Sequence, residues 1–132
     1  MFVDTSVIVA ILARETDADA FVAKLASATA CCTSGLVILE AAMRLSTLLR
    51  VDPVAVEIRI RRLVEEARIS IVPIDGEISR RAVGAFSRFG KGRGHPAQLS
   101  LADCMSYACA QACGVPLLYK GDDFSRTDIV AA

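Results

Sequence analysis

Acidic side chains at four places carry the chemistry that this sequence can do. Asp103 lies in "LSLADCMSYACA" (99–110), an otherwise nearly apolar run that reads as a helix, and Glu40 lies in the similarly apolar "LVILEAAMRLSTLL" (36–49). Asp4 closes the apolar opening "MFV", and Asp122 and Asp123 follow the apolar "PLLY" (116–119). A lone carboxylate among apolar neighbours costs several kcal/mol unless something pairs with it. Each acid also has an ordinary structural account. Ser100 and Asp103 fit a capping box, Glu40 and Arg44 fit an i, i+4 pair worth ~0.3–0.5 kcal/mol, Asp4 before Thr5-Ser6 fits a helix cap, and Asp122 and Asp123 beside Gly121 fit a turn. What these accounts leave unexplained is the combination. Two carboxylates ~4 Å apart repel by about 4 kcal/mol at an effective dielectric of about 20, so acids gathered at one edge require protons or cations. Hard oxygen donors without histidine or cysteine select Mg²⁺ or Mn²⁺ over zinc. Such an ion suits phosphodiester cleavage, because it activates water and neutralises charge developing on phosphate.

The elements that must position these acids alternate between strand and helix. Strands are predicted over 1–3, 30–34, 69–74 and 116–119, and helices over "VIVAILA" (7–13), 17–27, 36–49, 54–68, 77–90 and the Asp103 segment closed by Gly114. This alternation predicts an α/β fold: a three-layer α/β/α sandwich with a central parallel sheet and right-handed crossovers. In open parallel sheets the functional crevice lies outside the carboxyl ends of the strands, near the switch in strand order. Asp4 and the Asp122–Asp123 pair follow strands directly, Glu40 lies in the first half of a helix after the second strand, and Asp103 lies near the start of the last helix. All of these places can face one rim.

Composition sets the outer bounds. At 132 residues the chain is expected to form a single domain, 1–132. Fifteen basic and fifteen acidic residues cancel, so bulk charge announces neither nucleic acid nor membrane. Mean hydropathy is high at +0.47, yet charges break every apolar run short of the roughly 18 to 20 residues of a membrane span. The excess apolar surface predicts a protein interface, with the apolar helices "VIVAIL" and "LVILEAAMRLSTLL" as its candidates. Five cysteines without C-x-x-C spacing argue against a disulfide framework or zinc ribbon. With no basic leader at the N-terminus, they point to a reducing, cytoplasmic setting. Between residues 57 and 93 nine basic residues stand against five acidic ones, a bias that suits a phosphate backbone beside an acidic site. Pairs such as Arg61–Glu65 and Arg62–Glu66 account for part of it. Lys91 and Arg93 in the loop "KGRGHPAQ" are candidate RNA contacts, and the lone His95 reads as a solvated loop residue.

Four fragments in order, "FVDTSVIVAIL", Glu40 in its helix, "LSLADCMSYACA" and "PLLYKGDDFSRTDI", resemble the PIN-domain ribonucleases, and within them the VapC toxins of VapBC toxin–antitoxin modules. The resemblance spans essentially the whole chain. It implies a PIN-like fold and a type II toxin with Mg²⁺- or Mn²⁺-dependent endoribonuclease activity, acting on tRNA or another structured RNA. It also implies a cognate VapB antitoxin and a homodimer within a larger complex. Asp4, Glu40 and Asp103 match the acids that hold metal, and Ser6 matches the hydroxyl that orients Asp4 or a metal-bound water. The fourth acid is Asp123 by the "GxDF" pattern or Asp122 by position at the sheet edge. The competing readings are a PIN-like or receiver-like domain that binds without cutting, with Lys120 superficially placed as a receiver lysine, and a structure-specific DNA nuclease. A receiver leaves Glu40 unexplained.

Overall fold

The computed structural model describes all 132 residues. Four parallel strands form one sheet in the order β3-β2-β1-β4: β1 (Phe2–Val3), β2 (Cys31–Ser34), β3 (Ile69–Val72) and β4 (Leu117–Leu118). Six helices, α1 (Thr5–Leu12), α2 (Ala18–Ser27), α3 (Gly35–Leu49), α4 (Pro53–Glu66), α5 (Gly76–Phe89) and α6 (Leu101–Cys113), complete a three-layer α/β/α sandwich. The chain steps outward from β1 through β2 to β3, then returns to place β4 on the other flank of β1. Strand order therefore reverses between β1 and β4, where such sheets bind their ligands. Phe2 pairs with Leu117 and Val3 with Leu118, so Asp4 emerges beside Tyr119, one residue before Lys120.

Short polar side chains start the helices. The carboxylates of Asp4, Asp52 and Asp75 and the hydroxyls of Ser34 and Ser100 each accept a backbone N–H of the following first turn, satisfying donors that a helix leaves free. Pro53 opens α4, where its missing N–H costs nothing. Gly114, at φ +64, ends α6 in the left-handed conformation that a side chain disfavours. The C-terminal segment lies along the outer edge of β4, with Leu117 N–H donating to Val130 O and Ala132 N–H to Leu117 O. Tyr107 and Arg88 tether that segment through Asp128, at 2.5 and 2.7 Å.

The observed elements follow the expected ones, with shorter strands. The segment 69–74 pairs only through Val72, because Pro73 has no N–H to donate, and 116–119 contributes only Leu117–Leu118. The 3₁₀ turn Phe124–Arg126 is additional. The helix "VIVAIL" is not an open docking face. It belongs to α1, which packs against α2, α3 and α4, and Val7, Ile8, Val9 and Ala10 are buried. The large apolar residues left in solvent include Leu39, Met43 and Leu48 on α3, Val54 and Ile58 on α4, and Val83, Phe86 and Leu101 on α5 and α6. Arg61 pairs with Glu57 at 2.6 Å and not with Glu65, and no Arg62–Glu66 bridge forms.

Leu45 is fully buried on α3, the helix that carries Glu40. Leu45→Ala is expected to remove about 2–5 kcal/mol of stability through lost burial and a residual cavity. Denaturant titration should show a lower midpoint with an unchanged slope.

Candidate active site

Asp4, Glu40, Asp103 and Asp123 line one cleft of about 260 Å³, together with Thr5, Ser6, Val9, Glu15, Arg44, Lys120 and Phe124. Three of the sequence acids come from three different elements: Asp4 from the end of β1, Glu40 from the second turn of α3, and Asp103 from the first turn of α6. Asp123 arrives on the loop after β4, and Asp122 beside it does not line the cleft. Larger surface hollows elsewhere are apolar or lack convergent acids.

Each of the three deeper carboxylates is held by one oxygen. Asp4 Oδ2 accepts both the backbone N–H and the hydroxyl of Ser6, at 2.9 and 2.7 Å. Glu40 Oε2 accepts the Thr5 hydroxyl at 2.5 Å. Asp103 Oδ2 accepts the Ser100 N–H at 2.7 Å, while Asp103 N–H donates to Ser100 Oγ. The capping accounts of Asp4 and Asp103 are therefore correct as far as they go, but each uses only one carboxylate oxygen. Asp4 Oδ1, Glu40 Oε1 and Asp103 Oδ1 accept no hydrogen bond from the protein, and none is sealed from solvent. The expected Glu40–Arg44 pair does not form: Glu40 turns to Thr5, and Arg44 lines the cleft without an ion-pair partner.

Ser6 also ties the site to the far flank of the reversal, since Lys120 N–H donates to Ser6 Oγ at 2.9 Å. The Lys120 ammonium faces away from a receiver-like role, bridging Glu15 and Asp17. Buried Ser106, one turn beyond Asp103 on α6, lies beside Asp4, yet its Oγ completes no hydrogen bond. Sequence reasoning missed Thr5, Glu15 and Arg44 as cleft residues, and Ser106 as the buried hydroxyl beside Asp4. Thr5 and Ser106 were signalled weakly, as hydroxyls beside Asp4 and one turn from Asp103; Glu15 had no local signal. Lys91 and Arg93 stand on the loop between α5 and α6 and do not line the cleft. The Arg93 guanidinium lies 5.9 Å from the centre of the Phe86 ring. His95 is half-buried rather than solvated, edge-on to Phe89 at 5.0 Å, with Nδ1 accepting the Ala97 N–H.

The electrostatics follow from this crowding. Burial, the largest cause, raises the Asp4 pKa, opposed by the two Ser6 hydrogen bonds and reinforced by the charge of Asp103. Burial also raises Glu40, opposed by the Thr5 hydrogen bond and, more weakly, by the charge of Arg44, and reinforced by Asp4 and Asp103. As placed, no three acid, histidine or cysteine side chains close on a single point. The donor set nevertheless fits a hard divalent cation. It offers free carboxylate oxygens from three elements, an unpartnered hydroxyl on Ser106, and no sulfur or imidazole.

A raised carboxyl pKa means that folding favours the protonated form. The contribution of Asp4 and Glu40 is thus fully present below the unfolded value of about 4 and is lost as pH rises through the folded value. Asp4→Asn, which cannot ionise, is expected to unfold at higher denaturant than the parent at pH 7. The gap should close as pH falls through the folded pKa of Asp4; a gap that persists at acid pH would assign the effect to packing instead.

The PIN domain model matches residues 1–130. VapC ribonuclease Mb0625 of Mycobacterium bovis is 41% identical over 132 residues, covering 100% of this chain and 97% of that protein. VapC ribonuclease R02377 of Rhizobium meliloti is 41% identical over 140 residues, covering 97% and 98%. Among solved structures, VapC20 of Mycobacterium tuberculosis, described as a sarcin-ricin loop cleaving toxin, superimposes with a TM-score of 0.77 at 18% identity, covering 99% of this chain and 97% of that one. A toxin–antitoxin complex from Klebsiella pneumoniae gives 0.72 at 19% identity, covering 99% and 95%.

Proposed function

This chain belongs to the PIN-domain family, and from that premise we propose that it is the toxin of a type II toxin–antitoxin pair, a Mg²⁺- or Mn²⁺-dependent endoribonuclease of the VapC kind. The observation that carries the reading is the cleft at the strand-order reversal, where Asp4, Glu40 and Asp103 each keep one oxygen free. The curated relatives named as VapC ribonucleases align along essentially the full chain, which favours this reading over a binding-only domain or a DNA nuclease.

Asp4, Glu40 and Asp103 would hold the ion, with Asp123 as the fourth acid in preference to Asp122. When bound, the divalent ion supplies an activated water and neutralises charge developing on the phosphate. The chain's own residues do the positioning. Ser6 locks one oxygen of Asp4 and couples it to the loop after β4 through Lys120 N–H. Thr5, the next residue along from Asp4, fixes Glu40, so two metal-facing acids are oriented by one turn of α1. Preorganisation of this kind removes reorganisation from the barrier. No histidine takes part, and cleavage leaves a 5′-phosphate. Lys91 and Arg93 would meet RNA on the loop that leads into the Asp103 helix.

The partner is a cognate VapB-type antitoxin. Ile38, Leu39 and Ala42 on α3 and Val54 on α4 line an apolar groove suited to an amphipathic helix, with Leu39 and Val54 exposed. The exposed apolar residues of α5 and α6 suit a homodimer contact. No helix is long and apolar enough to cross a membrane, and the free cysteines accord with a cytoplasmic site of action.

Cleavage of labelled RNA and of single-stranded DNA of the same sequence is the direct assay. The parent chain is expected to cut RNA with Mg²⁺ and to lose activity in chelator. Asp4→Asn should lower the rate by about 10²-fold or more, in the range seen when a preorganised electrostatic contact is removed. Asp123→Asn should impair cleavage more than Asp122→Asn. Growth arrest on expression of the parent and none with Asp4→Asn would agree; equal arrest by both would remove the metal mechanism.

A further inference from the structure

We propose that Arg44 binds a backbone phosphate of the RNA strand next to the scissile one and so sets where the strand lies across the acid cleft. The inference rests on the ribonuclease reading above and adds a substrate contact to it.

The cleft holds two cations among its acids, and they differ in one respect. Lys120 is neutralised twice over, by Glu15 and by Asp17 at 2.9 Å. Arg44 is exposed and unpaired: every ion pair in the molecule involves Arg61, Arg80, Arg81, Arg88 or Lys120. This is a departure from simple expectation, because Arg44 stands i, i+4 from Glu40, the spacing at which such pairs form. Glu40 is committed to Thr5 instead. The charge of Arg44 favours ionised Glu40 from a distance, but no acid takes up its donors. Left free at the wall of the cleft, its planar fork of donors matches the two non-bridging oxygens of a phosphodiester.

Position agrees with chemistry. Residues one turn apart on a helix place their Cβ atoms roughly 5–6 Å from each other, the scale of one nucleotide step along a strand. A phosphate seated between Glu40 and Asp103 would leave its neighbour beside Arg44. Five of the residues lining the cleft are acids that repel a phosphate, and Arg44 is its one cation without an ion-pair partner, so it biases which register is tolerated. Arg44 therefore contributes to binding and register, and its loss should appear in KM and in salt dependence before it appears in kcat.

The test uses the full-length chain and a labelled RNA pool cleaved by the parent, comparing parent, Arg44→Gln and Arg44→Lys. Arg44→Gln should raise KM by about tenfold, the size of one charge-assisted hydrogen bond, with kcat changed far less. Its plot of log(1/KM) against log salt should be flatter by about 0.7, the contribution of one phosphate contact on a single strand. Arg44→Lys should restore the slope but only part of the affinity, having the charge without the fork. Mn²⁺ affinity measured by electron paramagnetic resonance should be the same in all three proteins. An unchanged KM and slope in Arg44→Gln overturns the inference. So does a shift in Mn²⁺ affinity large enough to account for the loss, which would make Arg44 a counter-charge to the acids. A parent chain that cuts no RNA at all overturns the ribonuclease reading itself, and does so before any Arg44 variant is compared.

Discussion

Like-charge crowding at the reversal of strand order is the constraint on which this molecule turns. Asp4, Glu40 and Asp103 are carried into one cleft by a strand end and two helices, and the burial that shapes the cleft makes the ionised forms of Asp4 and Glu40 expensive. The fold answers with hydroxyls and backbone N–H groups, each taken by one oxygen of a carboxylate. The second oxygen is left to whatever enters. Asp52 and Asp75 also cap their helices through one oxygen; what sets Asp4, Glu40 and Asp103 apart is that they line one cleft.

The rest of the architecture serves that arrangement. Placing β4 beside β1 brings Lys120 N–H onto Ser6, so the loop carrying Asp123 is registered against Asp4 through a single hydroxyl. The capping box at Ser100 fixes the first turn of α6 and with it the direction of Asp103. The core beneath is one connected cluster of 29 buried apolar residues, stiff enough to hold charges that repel.

Much of this was legible in the sequence, for identifiable reasons. Strand–helix alternation gave the parallel sheet because each element is bounded by a strong local signal: Asp or Ser caps, Pro53, Gly114. Asp4, Glu40 and Asp103 stood out because carboxylates are rare in apolar runs. The pairing of those acids did not. Whether Glu40 reaches Arg44 or Thr5 depends on how α1 packs against α3, a contact between residues 35 apart that no local pattern encodes. The same blindness hid Glu15, which meets Lys120 across 105 residues, and the burial of α1, whose apolar circumference read as an interface until α2, α3 and α4 closed around it. That Asp123 lines the cleft and Asp122 does not depends on the path of the loop after β4, which no local pattern encodes.

Thermal unfolding in the presence of Mn²⁺ tests the central claim most directly, because it reads the carboxylates without requiring any substrate. A cation that binds only the folded chain raises its stability by RT ln(1 + [L]/Kd), about 2.7 kcal/mol at a hundredfold excess over Kd. The melting temperature of the parent should climb with Mn²⁺ concentration, and Glu40→Gln and Asp103→Asn should each blunt that climb. A parent indifferent to Mn²⁺, or variants that respond as strongly as the parent, would mean that these acids do not share an ion.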